Sequence, residues 1–229
     1  MPIKVTDITE QDIPGAIRCI QDAFAEDPYN HWVFNDRKSF SLRRNSVSLG
    51  IRCRWGMHYA IFNVAKDTDD PESKVLGVAC WLPPSNPFAP QSWSDYLGSW
   101  KLWLQQVGMN LYYGRGGLNV NRYYIWKAAQ AEAQKALWTD EKGYYFCNIV
   151  TVSPEAQGKG IGKLLFKHIT DQADREGRSC YLESSRAEPN MAIYEKMGFK
   201  LAKEMVCDDG QDAITLYCMM REPEHADGP

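Results

Sequence analysis

The spacing of hydrophobic residues divides this chain into three stretches. In the first stretch, apolar residues recur every three or four positions over two segments, which predicts helices at residues 13–24 and 40–54. Continuous apolar runs predict three strands, at residues 3–8, 57–64 and 75–82. An acidic, Pro-containing turn joins the last two strands as a hairpin. We expect the sheet to break at Pro83 and Pro84, because a proline offers no amide proton to a neighbouring strand.

The middle stretch, residues 84–142, is rich in aromatic residues and holds five of the eight tryptophans. Ser92 followed by Asp95 is typical of a helix N-cap, and large apolar residues recur on one face of the helix that would follow. A second helix is predicted at residues 121–137. Two interpretations of the aromatic residues stay open. They pack the helices onto a sheet, or some of them wall a pocket for a flat or apolar ligand.

The third stretch alternates strands with helices. Strands are predicted at residues 144–152, 180–184 and 213–220, with another from residue 199 onward. A helix at residues 160–175 has His168 on its apolar face, where we expect a core residue, and Gly177 ends it. Asn190 is predicted to cap a short helix that Gly198 closes. This order predicts a mixed α/β fold.

Composition limits the classes of protein that this chain can represent. With 229 residues, 44% of them hydrophobic, we expect one domain at residues 1–221, with a helical insertion at about 84–142 and a flexible tail at 222–229. A net charge of -3 gives no broad basic field, so nucleic acid is not an expected partner. The chain has neither the roughly 20-residue apolar run of a membrane span nor a signal peptide at its start, so we expect a cytoplasmic protein without membrane contact.

The seven cysteines follow no metal-binding or disulfide pattern. They lack CxxC and Cys/His spacing, and their odd number suits neither a disulfide framework nor a zinc site. We predict reduced thiols in the core and no metal.

A glycine-rich turn between a predicted strand and a predicted helix carries the clearest chemistry. It reads Gln157-Gly158-Lys159-Gly160-Ile161-Gly162. The first amides of a helix have no internal partner, and glycines let a pyrophosphate approach them closely. The alternative nucleotide motifs do not fit, because this turn has neither the Gly-Lys-Ser/Thr of a P-loop nor the register of the dinucleotide fingerprint. The turn therefore predicts a local site for a diphosphate-bearing cofactor.

This turn belongs to a longer pattern that resembles a known family. The segment Val150 to Pro154, the glycine turn, Asn190, and the segment Tyr194 to Phe199 together look like the acetyl-CoA signature of the GNAT acetyltransferase superfamily. The resemblance implies a mostly antiparallel central sheet with splayed middle strands and flanking helices, here with a helical insertion. It also implies acetyl-CoA as the acyl donor. Within the superfamily, residues 81–84, the insertion and residues 181–185 look most like the branch that includes puromycin N-acetyltransferase.

The resemblance implies roles for particular positions. Backbone groups at Val150, Thr151 and Val152 would bind the pantetheine arm, and Asn190 would contact it. Tyr194 would protonate the departing thiolate, because a phenol keeps its proton at neutral pH. The pyrophosphate would lie on the amides of the turn and the residue after it: Gln157, Gly158, Lys159, Gly160, Ile161, Gly162 and Lys163. Tyr194 as a packing residue and Asn190 as a plain helix cap remain open alternatives.

The base that deprotonates the accepting amine is less clear. The strand position that often holds a glutamate in this superfamily falls near Tyr144 or Tyr145, neither of which acts as a base in the same way. We take Glu183, on the strand across the splay, as the candidate. A structural role for Glu183 and a catalytic role for His58 stay open.

The function that this pattern predicts is direct transfer of acetyl to a primary amine of a small molecule, by a monomer or a homodimer. One alternative acceptor is a protein N-terminus or lysine, which needs an open groove rather than a bulky aromatic insertion. Another alternative is a non-catalytic acyl-CoA sensor, which the presence of Tyr194 disfavours.

Overall fold

The computed structural model describes residues 2–70 and 74–224, and in this part of the chain seven strands form one sheet in the order β1-β2-β3-β4-β5-β7-β6. The strands are β1 (Ile3–Asp7), β2 (Ile61–Asp67), β3 (Val75–Leu82), β4 (Tyr144–Val152), β5 (Ser179–Ser184), β6 (Lys200–Asp208) and β7 (Ala213–Arg221). Neighbouring strands are antiparallel except β4 and β5, which are parallel. The predicted mixed, mostly antiparallel fold is confirmed.

Helices cover both faces of this sheet. They are α1 (Ile13–Ala23), α2 (Pro28–Val33), α3 (Leu42–Tyr59), α4 (Trp93–Tyr113), α5 (Val120–Leu137), α6 (Ile161–Glu176) and α7 (Asn190–Glu195). Side chains of α6 pack on one face with Tyr145 and Cys147 of β4. On the other face, α1 and α3 cover β2 and β3, while α2 and α5 cover Tyr144 and Phe146. Successive residues of β4 thus face opposite layers, as the pleat of a strand requires.

The two parallel strands separate partway along their length. β4 and β5 pair only from Tyr144 with Ser179 to Cys147 with Leu182. Beyond that point β4 stays paired with β3 as far as Val152, while β5 stays paired with β7. The sheet therefore opens into a wedge between β4 and β5.

One N-terminal helix was not predicted, and another is longer than predicted. α1 ends at Ala23, close to its predicted end, and the carboxylate of Asp27 then accepts from the amide of Asn30 at 2.9 Å and caps α2, with Pro28 in the first turn. α3 continues to Tyr59, so a strand starting at residue 57 is wrong. His58 accordingly lies exposed in the last turn of a helix and not on a strand.

The two insertion helices differ in how they are packed. α4 lies on α3, where Ser48 donates to Gln106 at 2.9 Å and Arg44 donates to Asn110 at 2.6 Å. The apolar face predicted for α4 is exposed, with Trp93 80% accessible, so core packing is wrong for this helix. α5 does lie on the sheet, through side chains that include Trp126.

A buried arginine fixes α5 in place. Arg122 donates to the carboxylate of Asp209 at 2.7 Å, to the carbonyl of Trp32 at 2.9 Å and to Asp212 at 3.2 Å. The hydrogen bond from Arg122 holds the pKa of Asp209 down at about 2. Arg122 thereby ties α5 to α2 and to the turn between β6 and β7.

Three further details of the C-terminal half bear on the predictions. His168 is exposed on α6, so its assignment to the core is wrong, and Phe166 and Thr170 are buried in its place. Pro189, not Asn190, precedes α7 as its cap residue. Part of the predicted tail is bonded, since Glu222 accepts from Ser179 at 2.7 Å, and residues 225–229 lie outside the described residues.

All seven cysteines are free and buried, as predicted. Burial raises the pKa of Cys53 and Cys207 to about 11 and that of Cys80 and Cys180 to about 12. These thiols are therefore protonated at neutral pH.

Candidate active site

The open side of β4 exposes unpaired backbone groups to the wedge. The amide of Ser153 donates to the carbonyl of Leu76 at 2.8 Å, and in an antiparallel ladder successive residues point their backbone groups alternately toward and away from the partner strand. The groups of Thr151 then point to β3, and those of Val150 and Val152 point into the wedge. Thr151 also buries its side chain on the far face, with its hydroxyl 3.3 Å from the sulfur of Cys19.

The glycine turn presents free amides at the start of α6. Gly158 and Gly160 have φ angles of 76° and 77°, in the left-handed region that side-chain-bearing residues rarely adopt. Gly160 precedes α6 without a side-chain cap. No described residue accepts a hydrogen bond from the amides of Gly158 through Lys163, whereas the next amide, of Leu164, donates to Gly160 at 3.1 Å. These amides and the helix dipole form a cradle that fits a pyrophosphate.

Two lysines of this segment, Lys159 and Lys163, are exposed, and Ile161 buries its side chain beneath the turn. Gly77 of β3 permits that packing, because an added Cβ would lie 3.0 Å from a side-chain carbon of Ile161. Gln157 instead turns back toward the wedge, where its amide nitrogen lies 3.4 Å from the carbonyl oxygen of Val152. The turn and the end of β4 therefore form one continuous surface.

Tyr194 lies beside the same opening. Its ring packs between Phe166 and Phe199, with ring centroids 5.6 and 6.4 Å away, and its hydroxyl forms no hydrogen bond with a described residue. Burial, with a smaller effect from nearby Cys147 and Asp27, raises the pKa of Tyr194 well above its ordinary value. The phenol is therefore protonated at neutral pH and has its proton free to donate.

Asn190 and its neighbours form the other rim of the wedge. The side-chain amide of Asn190 donates to the hydroxyl of Ser184 at 3.2 Å, two residues beyond the last residue of β5 that pairs with β4. Ser185 donates a short hydrogen bond to Asp27, the residue that caps α2. The start of α7, the end of β5 and the start of α2 are thus held together at one place.

Glu183 occupies the end of β5 on the α5 side of the sheet. One carboxylate oxygen accepts from the hydroxyl of Tyr181 at 2.9 Å and the other from the amide of Gln130 at 2.8 Å. Burial raises the pKa of Glu183, while the bonds from Gln130 and Tyr181 and the charge of Lys127 partly oppose the rise. A carboxylate with a raised pKa is a stronger base than an ordinary glutamate.

The tyrosines at the position where the superfamily often has a glutamate point elsewhere. The hydroxyl of Tyr144 accepts from the amides of Thr139 and Asp140 at 3.1 Å, and that of Tyr145 donates to Glu176 at 2.8 Å. Both rings are buried. Neither hydroxyl is free to act on a ligand in the wedge.

Sequence reasoning missed three residues near Glu183 and Tyr194. No role was predicted for Asp27, Tyr29 or Gln130, although Gln130 falls within the helix predicted at residues 121–137. Tyr29 packs its ring 5.1 Å from that of Trp126 and lies close enough to Glu183 for that carboxylate to help raise its pKa, although burial is the larger cause. Only the Asp-Pro pair carried a usable signal, because it is also typical of a helix start.

The wedge between β4 and β5 and the free amides of the turn define an acyltransferase fold. The similarity of this chain to known acetyltransferases agrees with this assignment. The acetyltransferase (GNAT) domain family matches residues 121–201. An uncharacterized N-acetyltransferase of Schizosaccharomyces pombe is 31% identical over 218 residues, which cover 95% of this chain and 82% of the relative. The chain belongs to the GNAT family of N-acetyltransferases. It is an enzyme that uses acetyl-CoA as acyl donor.

Solved structures share the fold at low identity. A Corynebacterium glutamicum structure described as histone acetyltransferase HPA2 and related acetyltransferase has a TM-score of 0.59 and 19% identity, with each chain fully covered. Arylalkylamine N-acetyltransferase 2 of Aedes aegypti also has a TM-score of 0.59, with 15% identity over 98% of this chain and all of the other. Within the described residues, 2–70 and 74–224, no helix is long and apolar enough to cross a membrane.

Proposed function

We propose that this enzyme acetylates a primary amine of a small molecule by direct attack of the amine on the thioester. The observation that carries the proposal is the placement of Glu183 and Tyr194 at one opening of the sheet. Glu183 has a raised pKa on the α5 side, and Tyr194 has a free, protonated hydroxyl between α6 and α7. A base and an acid on opposite sides of the wedge suit a reaction in which one proton is taken up and one is given.

The residues of the turn and of β4 are proposed to hold the donor. The free amides from Gly158 to Lys163 would bind its pyrophosphate, and the backbone groups of Val150 and Val152 its pantetheine arm. Asn190, whose amide already reaches Ser184 across the rim, would contact the same arm. Thr151 is left out of this set, because its backbone groups point to β3 and its side chain faces Cys19.

The chain's own groups then move the protons. Acetyl-CoA supplies an activated acetyl group as a thioester. Glu183 takes the proton from the ammonium form of the acceptor, which frees the nitrogen lone pair for attack on the carbonyl carbon. As the C–S bond breaks, Tyr194 gives its proton to the sulfur, and its phenolate takes the second proton that the nitrogen loses as it becomes an amide nitrogen. The proton on Glu183 then passes to solvent. Asp27, bonded to Ser185 close to Tyr194, fixes the geometry of this end of the site.

The helices that cover the sheet on the side of Glu183 favour a small acceptor. α2 and α5 meet there through the rings of Tyr29, Tyr123 and Trp126. These two helices come from different parts of the chain and are joined by Arg122, so they form a wall rather than an open groove. The insertion between β3 and β4 also supports the narrower proposal of a puromycin N-acetyltransferase-like enzyme, built as one domain over residues 1–221.

A panel of acceptors tests this proposal. The purified enzyme is incubated with acetyl-CoA and with amine-bearing antibiotics, arylalkylamines, polyamines or amino acids, and in parallel with peptides that offer a free N-terminus or a lysine. Release of coenzyme A with a small amine, and not with the peptides, supports the proposal. Turnover of peptides alone would establish a protein acceptor instead.

The glycine turn gives a separate prediction. We expect Gly160→Val to raise the KM for acetyl-CoA by about tenfold, because a side chain at a φ of 77° costs about 1–2 kcal/mol and crowds the amide cradle. Gly210→Val, at a glycine with a φ of 83° in the turn between β6 and β7, serves as the matched control for backbone strain outside the cradle and should alter KM far less. The KM values come from steady-state assays. Equal KM values for Gly160→Val and the wild type would contradict a pyrophosphate site here.

A further inference from the structure

The longer helix of the insertion, α4, carries an apolar face that the described part of the chain leaves largely exposed. At 3.6 residues per turn, seven large apolar side chains of this helix fall within about 120° of its circumference. Between 44% and 84% of each side chain is accessible. We call these seven residues the α4 face: Trp93, Tyr96, Leu97, Trp100, Trp103, Leu104 and Leu111.

The opposite side of α4 fixes the direction in which this face points. Gln106 and Asn110 accept hydrogen bonds from side chains of α3. Gly98 packs on the ring of Tyr59, where an added Cβ would lie 2.6 Å from a ring carbon. The polar and small residues of α4 are thus used against α3. The α4 face therefore cannot turn inward without breaking these contacts.

The α4 face is large enough to form a stable dimer interface. Its seven side chains together present roughly 900 Å², given that a tryptophan or tyrosine side chain offers about 150–250 Å² when it is covered completely. The largest apolar patch of a typical monomer is about 300–600 Å², and a stable complex buries about 800 Å² of each partner. The exposed area therefore matches what a second protein surface would cover.

The distribution of charge favours a second copy of this chain as that surface. The two charged residues of α4, Asp95 and Lys101, both lie outside the arc of the α4 face. A helix that lies on a lipid surface has several lysines and arginines on its polar side, whereas α4 has Lys101 alone. Two copies of an uncharged face meet without burying an ion. In an antiparallel pair, the start of one helix, with Asp95, also comes near the end of the other, which Arg115 follows.

A glycine at the edge of the α4 face leaves room for a close partner. Gly108 is exposed, and a Cβ added there would meet no atom of the described residues within 4 Å. Alanine would fit in this chain and would favour the helix, so the packing within one copy does not require a glycine. Packed helices lie about 8–10 Å apart, and a glycine permits the shorter distances of that range.

We infer that the α4 face is a homodimer interface, in which α4 of one copy packs antiparallel on α4 of a second copy around a two-fold axis. Each copy contributes the same residues, as a two-fold interface requires. Trp100 and Leu104, in the middle of the face, lie next to the axis. Trp93 of one copy lies near Leu111 of the other. The wedge is formed by other elements, so each copy keeps its own site, and the inference does not depend on the acceptor.

Sedimentation velocity of the purified protein tests this interface. We expect the wild type to be a dimer at micromolar concentration. Trp100→Glu and Leu104→Glu each place a charge in the middle of the interface and should raise the dissociation constant by at least about 100-fold, which leaves monomers. Leu104→Met keeps an apolar side chain of similar volume and should stay dimeric. Calorimetric titration of acetyl-CoA should give the wild-type affinity for each variant, which shows that the variants are folded.

Val206→Glu is the matched control, because Val206 is an exposed apolar residue of β6, outside the α4 face. It should dimerise like the wild type. A wild type that is monomeric at every concentration overturns the inference, and so does a dimer that survives both glutamate substitutions on α4. The wild type is also sedimented with phosphatidylserine vesicles. A monomer that binds these vesicles, and loses this binding in Leu104→Glu, overturns the inference by assigning the α4 face to a lipid surface.

Discussion

Tyr194→Phe is expected to lower kcat by about 10²-fold while acetyl-CoA still binds with its wild-type affinity. The change removes only the hydroxyl, and the ring keeps its contacts with Phe166 and Phe199. Without that proton donor the thiolate must leave as an anion or take its proton from water. Steady-state release of coenzyme A gives kcat, and calorimetric titration of acetyl-CoA gives the affinity.

Tyr112→Phe provides the control, because Tyr112 is 80% exposed on α4 and remote from α7 in the sequence. Its kcat should equal that of the wild type. If Tyr194→Phe also keeps the wild-type kcat, the acid is another group or water, and Tyr194 serves only to pack α7 against α6.

Glu183→Gln is expected to lower kcat/KM by about 10²–10³-fold and to change the pH profile. In the wild type, activity should fall as the pH drops through the pKa of Glu183, because a protonated carboxyl cannot take a proton from the ammonium group. Burial raises that pKa above its ordinary value, so the loss begins at a higher pH than for an exposed glutamate. The glutamine variant never ionises and should lack this acidic limb.

The measurement is kcat/KM as a function of pH for the best acceptor of the panel. Glu204→Gln, at an exposed glutamate of β6, is the control and should retain the wild-type profile. Thermal unfolding of Glu183→Gln shows whether the fold survives, which we expect because a glutamine still accepts from Tyr181. A folded variant with the acidic limb intact would assign proton removal to a different group.

The parts of the site that are made of backbone could be predicted from short stretches of sequence. The bounds predicted for β3 and β4 agree with those observed, and the helix predicted after the glycine turn begins within one residue of Ile161. Turns at glycines and strands in apolar runs are determined by residues that lie within a few positions of one another. The donor side of the site was therefore visible in the sequence.

On the acceptor side only Glu183 was predicted, because the surroundings of this residue depend on contacts between residues that are distant in the sequence. Gln130 and Glu183 are 53 residues apart, and Ser185 bonds to Asp27 from 158 residues away. The spacing of apolar residues does not indicate which residues so far apart in the sequence form a hydrogen bond. The same limit explains α4, whose apolar stripe predicted a buried face but which packs on α3 through Ser48 and Arg44 instead.

The burial of all seven cysteines has a practical consequence for the assays that follow release of coenzyme A. A chromogenic reagent that detects thiols reacts with the thiolate form, and these side chains are both shielded from solvent and, where their pKa is shifted, protonated at neutral pH. Coenzyme A, released into solution, carries an accessible thiol. We expect colour to track turnover from a low protein background, without any cysteine having to be substituted first.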